Sequence, residues 1–200
     1  MQSSTATTVM TVSFVNAGLL TLVQAIPVIM GANIGTTATA WIMSIFGFQF
    51  NMSSFVWPVF GLGIALSYMR KNSVRSFGEF VFGFAFMFLG LTTLRENAVA
   101  MDLSHNETIV NFFASMGGWG IFSTLLFLLL GGILTMCVQS SAAIMAITLI
   151  LCSSGVLPIY QGIALVMGEN IGTTVTSNLA ALSASTQARR AALAHMLFNV

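Results

Sequence analysis

The chain has 200 residues, of which 56% are hydrophobic and only 6% are charged, with a formal net charge of +1. Because a soluble domain carries about 25% charged residues, this composition excludes a water-soluble globular protein and predicts an integral membrane protein in a lipid bilayer. The near-neutral charge also excludes the basic surface that nucleic-acid binding requires.

Apolar segments follow one another along the whole chain, and we expect them to form an all-α membrane fold. A full span needs about 20 residues, and the segments at 55–69, 77–94 and 119–137 come close to that length. The others have about 12 residues, which as a helix is roughly half a membrane. These shorter segments lie at 4–15, 21–33, 37–48, 142–153, 158–168 and 174–185, and a last segment starts near 190.

A segment near the start of the chain returns near its end. With an offset of 137, residues 2–39 match residues 139–176 without a gap, at 17 of 38 positions. The identities concentrate on Gln, Asn, Gly and Thr rather than on the common hydrophobic residues. The chain therefore contains a duplicated unit, and a repeat of this size in a membrane chain indicates a transporter fold.

Two polar motifs stand between the short apolar segments of each copy. The motif QSS occupies 2–4 and 139–141, and the motif GxNIGTT occupies 31–37 and 168–174. We interpret QSS as the tip of a re-entrant hairpin and NIGTT as the unwound middle of a discontinuous transmembrane helix. Irregular backbone is tolerated at membrane depth only where protein or a cavity satisfies it.

The basic residues predict how each copy faces across the membrane. Loops 70–75 and 189–190 carry five of the six basic residues and should be cytoplasmic. The chain traced between them then has residues 50–54 and the loop 95–118 outside, so the two copies are inverted. Inverted repeats share a site near the membrane midplane.

The chain divides accordingly into four parts. They are a first repeat at 1–50, connecting transmembrane helices with an outer loop at 51–118, a second inverted repeat at 119–188, and the start of a further helix at 189–200. Both ends interrupt a motif or an apolar run, so we expect an excised core of a longer protein, inactive by itself because the first hairpin lacks one arm.

The motifs offer ligands for an anion and for Na⁺. Half-helix N-termini present free N–H groups and a positive dipole end, which suit an anion. Neither motif contains Lys or Arg, so co-bound cations should neutralise the anion. Glycines allow close backbone approach to a ligand, and Gly31, Gly35, Gly168 and Gly172 fill this role. The Na⁺ candidates, which supply side-chain or unwound backbone oxygens, are Asn33, Thr36, Thr37, Asn170, Thr173 and Thr174.

The sequence leaves the roles of two ionisable residues, Glu169 and His195, open. This trace places the acidic residue Glu169 inside the membrane, and Ala32 occupies its position in the first copy. An intramembrane carboxylate is functional by default, so Glu169 is a candidate Na⁺ ligand or protonatable switch, or it only hydrogen-bonds a neighbouring helix end. His195, in the last apolar segment, is either a packed or a functional group.

The stretches QSSTATT and VQSSAAIMA, each followed by GxNIGTT, resemble the two signature repeats of the type II sodium-dependent phosphate cotransporter family, in its bacterial branch. The resemblance implies Na⁺-coupled import of inorganic phosphate across the plasma (inner) membrane by alternating access, without a covalent cofactor. Bacterial relatives also tend to carry a cytoplasmic helical domain after the membrane core. Carried over residue by residue, the resemblance assigns substrate binding to Gln2, Ser3, Ser4, Gln139, Ser140 and Ser141.

One position departs from the family motif. A third serine often follows QSS in the family, and here Thr5 keeps that hydroxyl whereas Ala142 removes it. Thr5 is therefore a further Na⁺ candidate, and the two tips need not have equal roles.

Other functions remain open beside the phosphate symporter. A sodium-coupled transporter of another small anion belongs to the same class, and a passive channel or a membrane scaffold belongs to a different one. An enzyme is the weakest alternative, because the membrane interior offers no nucleophile–base pair and no cluster of metal-binding side chains. The inverted pair of polar motifs favours the symporter.

Overall fold

The computed structural model describes residues 3–45, 53–100, 106–117 and 119–200, and every regular element in these ranges is a helix. The predicted all-helical fold is therefore confirmed. In chain order the helices are α1 Ser4–Asn16, α2 Leu22–Ser44, α3 Ser53–Ser67, α4 Asn72–Ala100, α5 Glu107–Gly117, α6 Ile121–Val138, α7 Ser141–Ser153, α8 Ile159–Ala180 and α9 Thr186–Asn199.

Three of the described helices are long and apolar enough to cross a membrane. They cover Leu22–Ser44, Asn72–Leu94 and Ile121–Val138. The last two agree with the spans predicted at 77–94 and 119–137, whereas α3 is a shorter apolar helix. The chain is thus a multi-pass membrane protein.

The chain forms two compact units. One comprises residues 1–40 and 104–200, and the other comprises residues 41–103. The second unit is the antiparallel pair of α3 and α4, in which the ring of Phe60 lies 4.6 Å from that of Phe82 and 4.7 Å from that of Phe86. Aromatic pairs at such centroid distances contribute beyond their buried area, and they hold this helical hairpin together.

The first unit contains both copies of the duplicated sequence, and the copies have the same local structure. Helices α1 and α7 have 13 residues each, and their first residues differ by 137 positions, as do those of α2 and α8. Gly18 and Gly155 occupy matching turns with φ of +73° and +74°. Glycine is favoured there because a Cβ atom penalises positive φ.

The predicted break in the motif-bearing helices is wrong. Helices α2 and α8 continue through 31–37 and 168–174. The motif threonines bond back to carbonyl oxygens of their own helix: Thr36 Oγ1 donates to Ala32 at 3.2 Å and Thr173 Oγ1 to Asn170 at 2.7 Å. Because these bonds satisfy the hydroxyl groups within the helix, the polar motif does not require unwound backbone.

The motif glycines of the second copy are explained by helix packing. A Cβ atom at Gly168 would collide with the carbonyl oxygen of Leu128 in α6, and one at Gly131 would collide with that of Leu165 in α8. Small residues allow such close crossings between membrane helices. At Gly31, which matches Gly168 in the first copy, a Cβ atom would meet no atom of the described residues within 4 Å.

Helix α9 closes the core of the first unit. Small side chains line its buried face, so that α1 and α8 approach it closely, and side chains of α2 complete the cluster. The buried cluster consists of Val12, Val15, Ala25, Ile29, Ala181, Ala188, Ala191 and Ala192.

The segment expected as an outer loop at 95–118 is mostly helical. Helix α4 continues to Ala100, and α5 covers Glu107–Gly117. Phe113 and Met116, three residues apart on one helix face, pack against the buried cluster around Phe127. This apolar face of α5 therefore packs within the first unit. The position of the segment between two predicted spans did not predict this packing.

Candidate functional site

A polar cavity of about 240 Å³ lies between the start of α1 and the middle of α2. Among the described residues, its lining includes five with hydroxyl groups and none with a charge, and its volume is below the about 300–1,000 Å³ of pockets for drug-sized ligands. The first QSS motif and the first GxNIGTT motif therefore meet at a space suited to small ions. The lining residues are Ser3, Ser4, Thr7, Ala32, Gly35, Thr36 and Thr39.

The cavity lies at the N-terminus of helix α1. Ser3 is the N-cap, and its Oγ atom accepts a 3.1 Å hydrogen bond from the backbone N–H of Ala6. One cap leaves other first-turn N–H groups without an intrahelical partner, and the helix dipole makes this end positive. The first turn of α1 thus offers hydrogen-bond donors and a favourable field for an anion.

The second copy repeats this cap. Ser140 precedes α7 with φ −140° and ψ 98°, against −143° and 105° for Ser3, and its Oγ atom accepts from the N–H of Ala143 at 3.3 Å. Residues 139 and 140 form a two-residue link between α6 and α7.

Gln139 ties this second tip to helix α8. Its backbone is left-handed with φ 59°, and its side-chain amide nitrogen donates to the carbonyl oxygen of Met136. Its Oε1 atom accepts a 2.7 Å hydrogen bond from Thr176 Oγ1. Thr176 matches the cavity-lining Thr39 of the first copy, so both tips meet the helix position just beyond the motif. Gln2 lies outside the described residues.

The side chain of Glu169 is fully buried. Its Oε1 atom lies 3.1 Å from Thr148 Oγ1, and its Oε2 atom has no hydrogen-bond partner among the described residues. Thr148 Oγ1 also lies 2.9 Å from the carbonyl oxygen of Ile144, and its single hydrogen cannot serve both acceptors fully.

A buried carboxyl group in this setting needs a positive partner or a proton. Burying an unpaired charge is costly, and the Arg75–Glu79 pair at 3.1 Å is the one salt bridge in the described part of the chain. The same ranges contain no cluster of three or more His, Cys, Asp or Glu side chains that could hold a metal.

The other predicted Na⁺ candidates take different positions. Thr173 and Thr174 are buried in α8, whereas Thr37 and Asn170 are exposed. Thr5 and Ser141 are half-buried and are not among the cavity-lining residues.

The Asn33 side chain turns away from the cavity and towards α9. Its Oδ1 atom lies 3.2 Å from His195 Nε2, and its Nδ2 atom donates to Asn199 Oδ1 at 3.1 Å. The sequence left the role of His195 open. The signal that could have settled its burial is the helical spacing of Ala188, Ala191, Ala192 and His195, a stripe of small residues that ends in a histidine on the same face.

The comparisons with known proteins agree with these motifs. The profile of the Na⁺/Pi-cotransporter family matches residues 1–96 and 121–200. The uncharacterized protein YqeW of Bacillus subtilis (strain 168) is 28% identical over all of this chain, which spans 62% of that protein. YjbB of Escherichia coli (strain K12), named as a candidate inorganic phosphate export protein, is also 28% identical over the whole chain, which spans 35% of it.

A mammalian relative matches a shorter stretch. The sodium-dependent phosphate transport protein 2A of Ovis aries is 40% identical over 78 residues, 36% of this chain and 12% of that protein. No solved structure matches the chain. The family profile covers most of the sequence and both pairs of motifs, and this chain therefore belongs to the Na⁺/Pi-cotransporter family.

Proposed function

We propose that this chain is the membrane core of a secondary active symporter that carries inorganic phosphate together with Na⁺. The observation that carries the proposal is the uncharged, hydroxyl-lined cavity at the N-terminus of α1. Free N–H groups, hydroxyl groups and the helix dipole can bind the oxyanion there. Since no lining side chain in the described part of the chain is positive, bound Na⁺ would neutralise the anion, which couples the two ions.

The proposed substrate ligands are the two QSS tips, with Gly31 in α2. Gly168 packs against the carbonyl oxygen of Leu128 in α6 and is left out of this set. Ser3 and Ser4 line the cavity, and the cap at Ser140 repeats that of Ser3. The proposed Na⁺ ligands are the oxygens of the GxNIGTT motifs other than Thr37, whose exposed hydroxyl group bonds the carbonyl oxygen of Ile34, together with Thr5 and the Glu169 carboxylate.

Alternating access would follow from inverted repeats. The basic turn at 70–75 and the arginines at 189–190 support a cytoplasmic position for both, which inverts one copy relative to the other. The α6–α7 hairpin, with its two-residue link, would be the re-entrant element of the second repeat. Movement of one repeat relative to the other would then expose the ions to each side of the membrane in turn.

Import is the proposed direction, and export is the second candidate. The name of the Escherichia coli relative favours export. The direction of a symporter follows the combined gradients of its ions, so one mechanism accommodates both. Transport of another small oxyanion by the same cavity is the remaining alternative.

Phosphate binding to the intact protein in detergent tests the proposal. We expect phosphate to raise the unfolding temperature in NaCl but not in KCl, with about 2.7 kcal/mol of stabilisation at a ligand concentration of 100 Kd. Sulfate is the matched control anion. Equal stabilisation by phosphate in both salts would contradict Na⁺ coupling, and stabilisation by sulfate alone would contradict the substrate.

A further inference from the structure

His195 joins the two motif-bearing helices through a wholly buried imidazole. Its Nδ1 atom lies 3.0 Å from Ser177 Oγ in α8, and its Nε2 atom lies 3.2 Å from Asn33 Oδ1 in α2. The ring belongs to α9, so one side chain contacts both helices from a third.

The hydrogen-bond directions in this network are fixed by a backbone carbonyl. The carbonyl oxygen of His195 only accepts, so Asn199 must present its Nδ2 atom there, at 2.8 Å. Its Oδ1 atom then accepts from Asn33 Nδ2 at 3.1 Å, which turns Asn33 Oδ1 towards His195 Nε2. A flipped Asn33 amide would place its Oδ1 atom against Asn199 Oδ1, two acceptors face to face. The imidazole therefore carries its hydrogen on Nε2 and donates it to Asn33.

Ser177 forms the weaker end of the network. Its single hydroxyl hydrogen has two acceptors in reach, the Nδ1 atom of His195 at 3.0 Å and the carbonyl oxygen of Thr174 at 2.8 Å. The bond from His195 to Asn33 has no such competitor in the network. The orientation of the Asn33 carboxamide is thus the property that His195 controls most directly.

The network connects the surroundings of the two tips. Asn33 lies in α2 between the cavity-lining residues Ala32 and Gly35. Ser177 directly follows Thr176, whose hydroxyl bonds the tip residue Gln139. The route from the first cavity to the second tip therefore passes through the imidazole of His195.

This connection is made once and is not duplicated. The residue that matches Ser177 in the first copy is Ala40, which has no side-chain donor. In the second copy, the residue that matches Asn33 is Asn170, which is exposed and makes no side-chain hydrogen bond to the described residues. The two copies of the motif thus have different surroundings, although their sequences are nearly identical.

We propose that His195 is a positioning residue for transport. It orients the carboxamide of Asn33 and links the cavity wall of α2 to α8 through hydrogen bonds, so that the first cavity and the second tip keep one relative arrangement. The inference rests on the proposed Na⁺-coupled transport and adds a residue outside both signature motifs to it.

Two substitutions of His195 separate positioning from packing. In His195→Gln the amide nitrogen can reach the position of Nε2 and still donate to Asn33, whereas the shorter side chain in His195→Asn reaches only the position of Nδ1. The measurement is the Na⁺ concentration for half-maximal phosphate transport by the intact protein in proteoliposomes, beside the maximal rate per folded molecule. We expect the half-saturating Na⁺ concentration to increase about threefold to tenfold in His195→Asn, as for one lost hydrogen bond, and to stay near the wild-type value in His195→Gln.

The outcomes distinguish this inference from the proposed function. A wild-type protein without Na⁺-dependent phosphate transport overturns the proposed function and the inference with it. A wild type with such transport, and a folded His195→Asn variant with the same Na⁺ dependence, overturns the inference alone. An equal loss of the maximal rate in His195→Gln and His195→Asn, with an unchanged half-saturating Na⁺ concentration, also overturns the inference. That result is expected when the substitutions disturb only the packing. If His195→Asn does not fold, Asn199→Ala frees the Asn33 carboxamide from the other side and should raise the half-saturating Na⁺ concentration in the same way, and an unchanged value overturns the inference.

Discussion

Gln139 Oε1 accepts a 2.7 Å hydrogen bond from Thr176 Oγ1, and this bond joins the tip between α6 and α7 to helix α8. Gln139 is the only described non-glycine residue with positive φ. The left-handed conformation costs a residue with a Cβ atom about 1–2 kcal/mol. Glycine would adopt this conformation with less strain. The presence of glutamine at position 139 therefore indicates that its side chain has a role at the tip.

Gln139→Gly should separate function from folding at this tip. Glycine accepts φ 59° readily, so we expect the variant to unfold at or above the wild-type temperature while it loses most phosphate transport. Thr176→Val, which removes the partner hydroxyl at nearly constant volume, should weaken transport in the same direction. Normal phosphate uptake by both folded variants would remove Gln139 from the site.

Ser3→Asp tests whether an anion binds at the start of α1. Aspartate is an N-cap as good as serine, so we expect helix stability to be retained. Two negative charges about 4 Å apart repel by roughly 4 kcal/mol near a protein surface, and phosphate affinity should therefore fall more than a hundredfold. Ser3→Asn is the neutral matched control with the same capping ability. Equal phosphate affinity in the Asp and Asn variants would show that the anion binds elsewhere.

Two adjacent threonines distinguish the cavity wall from the outer face of α2. Thr36 lines the cavity, whereas Thr37 is exposed and donates to the carbonyl oxygen of Ile34 at 2.6 Å. We expect Thr36→Val to raise the half-saturating Na⁺ or phosphate concentration about threefold to tenfold, as for one lost hydrogen bond, and Thr37→Val to leave both unchanged. A larger effect of Thr37→Val than of Thr36→Val in an uptake assay would contradict the assignment of the cavity.

The matching glycines of the two copies should respond oppositely to alanine. Gly168→Ala places a methyl group against the carbonyl oxygen of Leu128, and overpacking of this kind costs about 1–3 kcal/mol. Gly31→Ala has open space and should gain up to about 1 kcal/mol of helix stability. Thermal unfolding in detergent measures both. A stable Gly168→Ala variant would contradict the close crossing of α6 and α8.

Glu169→Gln tests the buried carboxyl group as a cation ligand. The substitution keeps the shape and removes the charge, so the variant should be as stable as the wild type, or more stable, in a Na⁺-free buffer. We expect it to lose the part of the thermal stabilisation that Na⁺ gives the wild type, by the linkage between binding and stability. A full response to Na⁺ in the glutamine variant would exclude Glu169 from the Na⁺ site.

The duplication could be predicted from the sequence because polar identities are rare in an apolar chain. The same register places the helix starts, the caps at Ser3 and Ser140, and the turns at Gly18 and Gly155. Local features of this kind depend on neighbours in the sequence, so they could be predicted without knowledge of the packing.

The conformation of the GxNIGTT motif could not be predicted in the same way. Glycines and hydroxyl groups inside an apolar segment are typical both of an unwound helix and of a close helix crossing. The two cases differ only in what lies opposite, and the carbonyl of Leu128 opposite Gly168 decides for a crossing. His195 was undetermined for the same reason, because its partners Asn33 and Ser177 are 162 and 18 residues away.

Phosphate uptake by the intact protein in proteoliposomes tests the central claim most directly. Radiolabelled phosphate is supplied outside with an inward Na⁺ gradient, and matched vesicles receive a K⁺ gradient instead. Na⁺-coupled transport predicts accumulation above equilibrium with Na⁺ alone, and its loss in Ser3→Asp but not in Ser3→Asn. Phosphate entry at the same rate in both salts, through protein shown to be folded, would contradict it.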